Sequence, residues 1–348
     1  MEIINVLVTG AGGGGIGEQV IKCLKLSSLH FNIVATDVTT ISRAKTQGND
    51  FVLAPLATDE SYIPFILETC KQKNIHAVIP GSEIELKIFS KNRIEFENNN
   101  IALLINSELI IDICLDKNKT SDFLIANGFL SPTSFAISKE EQLHSIDLFP
   151  LVLKPSIGGG GSVNTMIVQN KEELNIFGQF LLKQYPEFIA QAYVGDLQSE
   201  YTVGVFSLNN ETIVDSIVLR RNILNGLGAK TKVLNQTGKQ ELGKYLAISS
   251  GISQGEIIRH QLISNTCEAI AEKLGSVGPL NIQCRLVDDK VYIFEINPRF
   301  SGTSPMRALA GFNELDIAIK NKVLKQTNFT RLDYKLGHVM RGLVESFV

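Results

Sequence analysis

The chain has 348 residues, 44% of them hydrophobic and 20% charged, enough to bury a large core in two or three domains. Its formal net charge is -3, and Lys and Arg are scattered rather than blocked, which argues against DNA or RNA as the main partner. No apolar run reaches the ~18 residues of a bilayer span, and "MEIINVLVTG" opens with an acid and a strand, so no membrane partner is expected and the cytoplasm is the expected compartment.

From the start, short apolar runs alternate with longer amphipathic stretches: "NVLVTG", a helix from about Ile16, "NIVATD", a helix around "YIPFILETCKQKN", "HAVIPG", a further helix, then "IALLIN". Such alternation predicts a parallel sheet covered on both faces. This first domain is expected to span residues 1–111. Beyond it the pattern changes to adjacent strand pairs: "FPLVLKPS" with "VNTMIVQ", "EYTVGVFSL" with "ETIVDSIVL", and "NIQCRLV" with "VYIFEIN". These predict antiparallel hairpins with helices on one side, an α+β region over 112–348. The one long stretch without periodicity, "NILNGLGAKTK" after Arg220 and Arg221, reads as a mobile surface loop. Five cysteines with no CxxC spacing suggest neither a disulfide framework nor a zinc site, only small buried hydrophobes.

Two glycine clusters stand out. In the first, "VTGAGGGGIGEQV", Gly12, Gly14 and Gly17 have dinucleotide-binding spacing, and Asp37 ends the next strand where a ribose-binding acid would lie. Any doubly wound sheet needs a tight first turn and close helix-to-strand packing, which glycines also supply. The packing explanation is preferred because nothing in the chain offers a hydride-transfer site and a second nucleotide signal follows. An NAD(P)-dependent oxidoreductase is the alternative. The second cluster, "LVLKPSIGGGGSVNTMIV", sets Lys154 four residues before Gly158, Gly159, Gly160 and Gly161, with Ser162 next. Strand-like residues follow instead of a helix, so this is no Walker loop. It reads as a flap between two strands whose N–H groups converge on phosphates, with Lys154 as a point charge beside them.

In "VYIFEINPR", period two places Val291, Ile293, Glu295 and Asn297 on one face. The preceding strand sorts Asn281, Gln283 and Arg285 together. A three-residue turn at Asp288, Asp289 and Lys290 would set Gln283 opposite Glu295, gathering a carboxylate and two amide oxygens, a hard donor set suited to Mg²⁺. Arg299, past Pro298, would reach the γ-phosphate or the charge developing during its transfer.

Together these residues resemble the ATP-grasp superfamily, most closely one half of a carbamoyl phosphate synthase large subunit or a stand-alone ligase built like it. The likeness rests on "DKNKT", "VLKPSIGGGGS", "IAQAYVGDLQSEYTVGV", "NIQCRL" and "EINPRFSGTSPM". It implies a Rossmann-like N-terminal (pre-ATP-grasp) domain and a two-part ATP-grasp domain, 112–190 with the glycine flap and 191–348 with the metal site. It further implies Lys117 and Lys154 as phosphate contacts, residues 158–162 as the flap, and Gln191, Ala192, Tyr193 and Val194 as the adenine-reading hinge. Glu200 would be the ribose acid, Gln283, Glu295 and Asn297 the ligands of Mg²⁺ (Mn²⁺ as the alternative ion), and Arg299 the phosphate-side arginine. Gln283 carries one charge fewer than the carboxylate many members have there.

The expected reaction is ATP-dependent joining of a carboxylate to an amine or ammonia through an acyl phosphate, with Lys154 and Arg299 catalytic. Activation of bicarbonate with ammonia capture is the narrower alternative. Arg220, Arg221, Ser301 and Arg307 are the expected grips on the carboxylate. The loop after Arg221 is expected to close over the site, and Ser82, Glu83 and Glu85 follow a strand end where an amine could be held. Oligomeric state, a homodimer included, is left open.

Overall fold

The computed structural model describes residues 3–158, 160–208, 212–223, 228–251, 254–342 and 344–348. Its first part is a five-stranded parallel sheet of β1 (Ile4–Val8), β2 (Phe31–Asp37), β3 (Asp50–Leu53), β4 (Ala77–Ile79) and β5 (Ala102–Leu103), in the order β3-β2-β1-β4-β5. Helices α1 (Ile16–Lys25), α2 (Ala44–Gln47), α3 (Tyr62–Gln72), α4 (Glu83–Lys91) and α5 (Arg93–Asn98) cover it. Because successive side chains of β1 point to opposite faces, Ile4, Val6 and Val8 enter one core and Leu7 the opposite one.

Next come α6 (Glu108–Leu115) and α7 (Lys117–Ala126), then a four-stranded antiparallel sheet. Its strands are β6 (Ser134–Ile137), β7 (Leu151–Pro155), β8 (Met166–Val168) and β9 (Phe188–Ala192), ordered β6-β9-β7-β8, with α8 (Lys171–Gln184) packed through Leu174 and Leu181. A six-stranded antiparallel sheet follows, ordered β16-β15-β10-β11-β14-β17. It comprises β10 (Glu200–Ser207), β11 (Ile213–Arg221), β14 (Gly255–Ile258), β15 (Pro279–Val287), β16 (Lys290–Asn297) and β17 (Gly337–Val339). Helix α9 (Gln261–Leu274) buries Ile263, Cys267 and Ile270 against it.

Two features tie the parts together. Helix α6 shares its apolar residues between cores, Ile111 with the parallel sheet and Ile110 and Cys114 with the six-stranded one. After α10 (Ser304–Ala310), α11 (Glu314–Lys322) returns to pack Leu315, Ile317 and Ile319 on the core of β1 and β2. All five cysteines are buried and unpaired. Among the described residues, no helix is long and apolar enough to cross a membrane.

Two expectations need correction. The last four residues of the supposed loop after Arg221 belong to a strand, β12 (Ala229–Leu234), paired with β13 (Tyr245–Ser249) in a small antiparallel sheet, while residues 224–227 of that loop lie outside the described residues. The β15–β16 turn has two residues, not three: Val287 pairs with Lys290, and Asp288 and Asp289 have φ of 49° and 56°, both in the left-handed region of a type I′ turn. That register alone would set Gln283 opposite Phe294. A β-bulge intervenes, Cys284 pairing with Ile293 and Gln283 with Glu295. The bulge also swaps faces: Val291 and Ile293 enter the core with Ile296, instead of sharing a side with Glu295 and Asn297.

Candidate active site

A cleft lies between the four-stranded and six-stranded sheets, with β13 along one side. It is lined by Lys117, Lys154, Gly161, Ser162, Gln191, Ala192, Tyr193, Val194, Glu200, Arg221, Gln283, Arg285, Glu295, Asn297, Arg299 and Ser301, among others. The sequence scatters these over nearly two hundred positions; antiparallel pairing gathers them. Leu151 and Leu153 on β7 bury into the core, and Lys154, near the strand's end, turns its chain to the cleft. Its Nζ donates to Gln191 Oε1 at 2.9 Å and the Phe294 carbonyl at 3.1 Å. Burial pushes this amine down to about 8, against the pull of Glu295 and with the repulsion of Lys117. A buried cation with two neutral acceptors is short of an anion.

Lys117 opens α7, whose N-cap Asp116 accepts from the N–H groups of Asn118 and Lys119. Its Nζ donates to the Gly158 carbonyl at 3.0 Å. The glycine segment then passes over β13: Ser162 Oγ donates to the Ser249 carbonyl, and Lys230 donates to that of Gly161. Gly158 and Gly161 have φ of 79° and 68°, and among the described residues a Cβ added to either would meet nothing within 4 Å. Here glycine serves backbone conformation and open space above the cleft. Gly159 lies outside the described residues.

The hinge after β9 is partly spoken for. Ala192 N–H donates to Thr133 and Tyr193 N–H to Pro150, while the Val194 carbonyl accepts from Arg285. Glu200 is buried between two guanidinium groups, Oε2 accepting from Arg285 Nη2 at 3.0 Å and Oε1 lying 3.2 Å from Arg221 Nη1. Burial opposes its ionisation, but Arg221 and Arg285 outweigh it and hold the carboxyl below the usual range. Arg285, stacked on the Tyr193 ring, was not singled out from the sequence. Its place on the polar face of β15 with Asn281 and Gln283 was the available signal.

On β15 and β16 the three oxygen-bearing side chains share the cleft. Gln283 Oε1 accepts from Arg221 at 2.8 Å, Glu295 Oε1 from Asn297 Nδ2 at 3.0 Å, and Asn297 Oδ1 from Arg299 at 3.0 Å. Only hard oxygen donors are present, with one formal charge, which fits a magnesium ion that draws further oxygens from phosphate and water. Among the described residues, no group of three or more His, Cys, Asp or Glu forms a separate metal cluster.

The four expected carboxylate grips separate. Arg221 and Ser301 line the cleft. Arg220, one residue earlier on β11, points the other way, half-exposed and paired with Glu256 at 2.6 Å. Arg307 is wholly buried behind the cleft, bonded to Glu314 at 2.7 Å and Asn281 Oδ1 at 2.6 Å. It braces Asn281, and among the described residues neither Arg220 nor Arg307 lines the cleft, so both expectations are corrected. Of the strand-end trio, Glu85 is buried on Tyr62 and Ser82, whereas Glu83 pairs with Arg299 at 2.8 Å.

The first glycine cluster has a different environment. Glu18, in the first turn of α1, is buried and held by Lys22 at 2.9 Å and Arg43 at 3.1 Å. A Cβ on Gly12 would strike Asp37, and one on Gly17 would strike the backbone of residues 9–11 within 3 Å. Packing accounts for Gly12 and Gly17, whereas Gly14 is exposed at φ 80° with only Glu18 nearby, and that acid sits where a pyrophosphate would seek positive charge.

Comparison with known proteins gives two matching family models, "PylC-like, N-terminal domain" over residues 6–104 and "ATP-grasp in the biosynthetic pathway with Ter operon" over 244–337. The carbamoyl phosphate synthase large chain of Thermoplasma volcanium is 24% identical over 340 residues, covering 92% of this chain and 30% of its own length. The chain thus spans about a third of the curated relatives it matches. An L-amino acid ligase from Bacillus licheniformis superposes with TM-score 0.64 at 16% identity, covering 92% of this chain and 74% of that one. The biotin carboxylase domain of Hydrogenobacter thermophilus 2-oxoglutarate carboxylase, solved with MgADP and bicarbonate, superposes with TM-score 0.63 at 15% identity, covering 95% and 72%.

Proposed function

We propose that this chain, an ATP-grasp domain behind a Rossmann-like domain, is an ADP-forming ligase that joins a small-molecule carboxylate to an amine through an acyl phosphate. The observation that carries the reading is the convergence in one cleft of two lysines, an oxygen-only donor set and Arg299. ATP would lie with its triphosphate between the glycine segment and β16. Lys154 and Lys117 neutralise phosphate charge, and the remaining hinge groups, the Val194 N–H and Tyr193 carbonyl, face adenine. Glu200 lines the cleft, and its Oε1, 3.2 Å from Arg221 Nη1, is the acceptor that would meet ribose.

Magnesium, held by Glu295, Asn297 and Gln283, would supply charge neutralisation at the terminal phosphates. The chain's own residues do the positioning, which is most of what phosphoryl transfer requires. A substrate carboxylate oxygen, oriented by Arg221 and Ser301, bonds the γ-phosphorus as the β,γ-bridging bond breaks and ADP leaves. Arg299 stabilises the charge spread over the transferring oxygens. The amine nitrogen then bonds the acyl carbon, phosphate departs with the electron pair, and a proton leaves nitrogen. Closure of the segment around β12 would exclude water from the acyl phosphate.

The relationship to carbamoyl phosphate synthase large chains favours bicarbonate and ammonia as a second reading of the same site. A pooled screen of carboxylates, bicarbonate included, with amines and ammonia, read by ADP release, tests both. Turnover with at least one pair is expected, falling about 10²–10³-fold in Glu295→Gln. No ADP release with any pair overturns the proposal.

A further inference from the structure

Arg299 does not stand free at the reacting end of the cleft. Its Nη2 is shared between Asn297 Oδ1 at 3.0 Å and Glu83 Oε1 at 2.8 Å, a carboxylate 216 residues away at the start of α4 on the Rossmann-like domain. Glu83 keeps a quarter of its side chain exposed, so a dissolved ligand can reach it. Burial works against its ionisation, but Arg299 outweighs burial, Lys117 adding to it, and holds the carboxyl below its ordinary value. Arg299 retains the Asn297 and Phe300 acceptors if Glu83 lets go, and its Nε is buried without a hydrogen-bond partner among the described residues.

The two cations that hold Glu83 are those expected to meet phosphate. Once phosphate oxygens engage Lys117 and Arg299, Glu83 loses its counter-charge while anionic oxygens arrive beside it. A partly buried carboxylate in that position requires a new cation. The acceptor amine, protonated near neutral pH, is the cation the reaction must bring to that end of the cleft. We infer that Glu83 forms the ammonium subsite for the acceptor: it is latched to Arg299 in the empty cleft and released to bind the amine when nucleotide phosphates take the arginine.

This inference rests on the ligase reading and adds a residue from the other domain to its site. In the coupling step, the bound ammonium first passes one proton to the Glu83 carboxylate, which frees the nitrogen lone pair; that pair forms the C–N bond as the C–O bond to phosphate breaks with its electrons on phosphate, and the second N–H proton leaves with the departing phosphate. The subsite thereby couples nucleotide occupancy to amine binding, so the acceptor is admitted after ATP.

Charge on the acceptor separates the outcomes. Hydroxylamine is neutral at pH 7 and traps an acyl phosphate as a hydroxamate, whereas primary alkylamines, from ethylamine to lysine, are cationic there. With a carboxylate that supports ADP release, kcat/KM is measured for both acceptor types in the wild type and Glu83→Gln. The expected result is a loss at least tenfold greater for the alkylamine than for hydroxylamine, mostly in KM. Equal losses, no loss, or a wild type that accepts hydroxylamine but no alkylamine overturn the ammonium subsite and leave the ligase reading standing. Absence of hydroxamate with every carboxylate, in both proteins, brings down the ligase reading and this inference with it.

Discussion

The two glycine loops are alike in composition and differ in the charges that surround them. Under the first, Glu18 is buried in an ion-pair knot with Lys22 and Arg43, and Asp37 presses on Gly12. Beside the second are Lys117, Lys154 and Lys230, and the space above Gly158 and Gly161 is open. At Gly17 the missing Cβ lets backbone meet backbone, whereas Gly13 and Gly14 of the first loop, like Gly158 and Gly161 of the second, are left-handed positions facing open space. The charges nearby distinguish the two loops, and a glycine spacing pattern does not contain them.

Substitutions can break this contrast or sharpen it. The largest effect is expected at Lys154→Met, which removes the buried cation beside the second loop. ADP-forming turnover should fall about 10²–10³-fold with the fold retained by circular dichroism; a fall under tenfold would mean the phosphates lie elsewhere. Next is Gly17→Ala, whose new methyl meets backbone at 2.7–2.9 Å. It should cost about 1–3 kcal/mol of stability in urea unfolding while leaving nucleotide affinity within twofold. A stable Gly17→Ala protein with impaired nucleotide binding would reverse the roles of the loops.

Proton linkage gives an intermediate effect. Lys154 titrates near 8 in the empty cleft, and bound phosphate would raise that value, so nucleotide binding takes up a proton once the pH exceeds about 8. Affinity for a magnesium complex of a nonhydrolysable ATP analogue should be flat below that pH and weaken above it, approaching about tenfold per pH unit. Lys154→Arg should abolish the slope. The smallest effect is expected at Gly161→Ala: about 1 kcal/mol for left-handed backbone and a raised KM for ATP, with no steric clash in the empty protein.

How far the sequence could be read follows from which interactions are local. Period-two alternation exposed Asn281, Gln283 and Arg285 as one polar row, because strand geometry fixes that face. The same rule misplaced Val291 and Ile293, since a bulge inserts one residue and inverts the strand beyond it. The hairpin turn was miscounted for a related reason: Asp-Asp adopts a left-handed turn usually marked by glycine.

Strand β12 was read as loop because it pairs only with β13 and alternates exposed and half-buried residues. Arg307 looked like a ligand grip because an arginine's sequence neighbours do not reveal Glu314 and Asn281 beneath it. Least legible of all was Glu83 against Arg299, a pair made by docking one domain on another.

Hydrogen exchange with and without the magnesium complex of a nonhydrolysable ATP analogue tests the central contrast in one experiment. Protection is expected over residues 154–168, 188–194 and 281–297, with residues 10–18 unchanged. Protection confined to residues 10–18, with the second loop and β16 unaffected, would contradict the assignment of the nucleotide to the cleft between the antiparallel sheets.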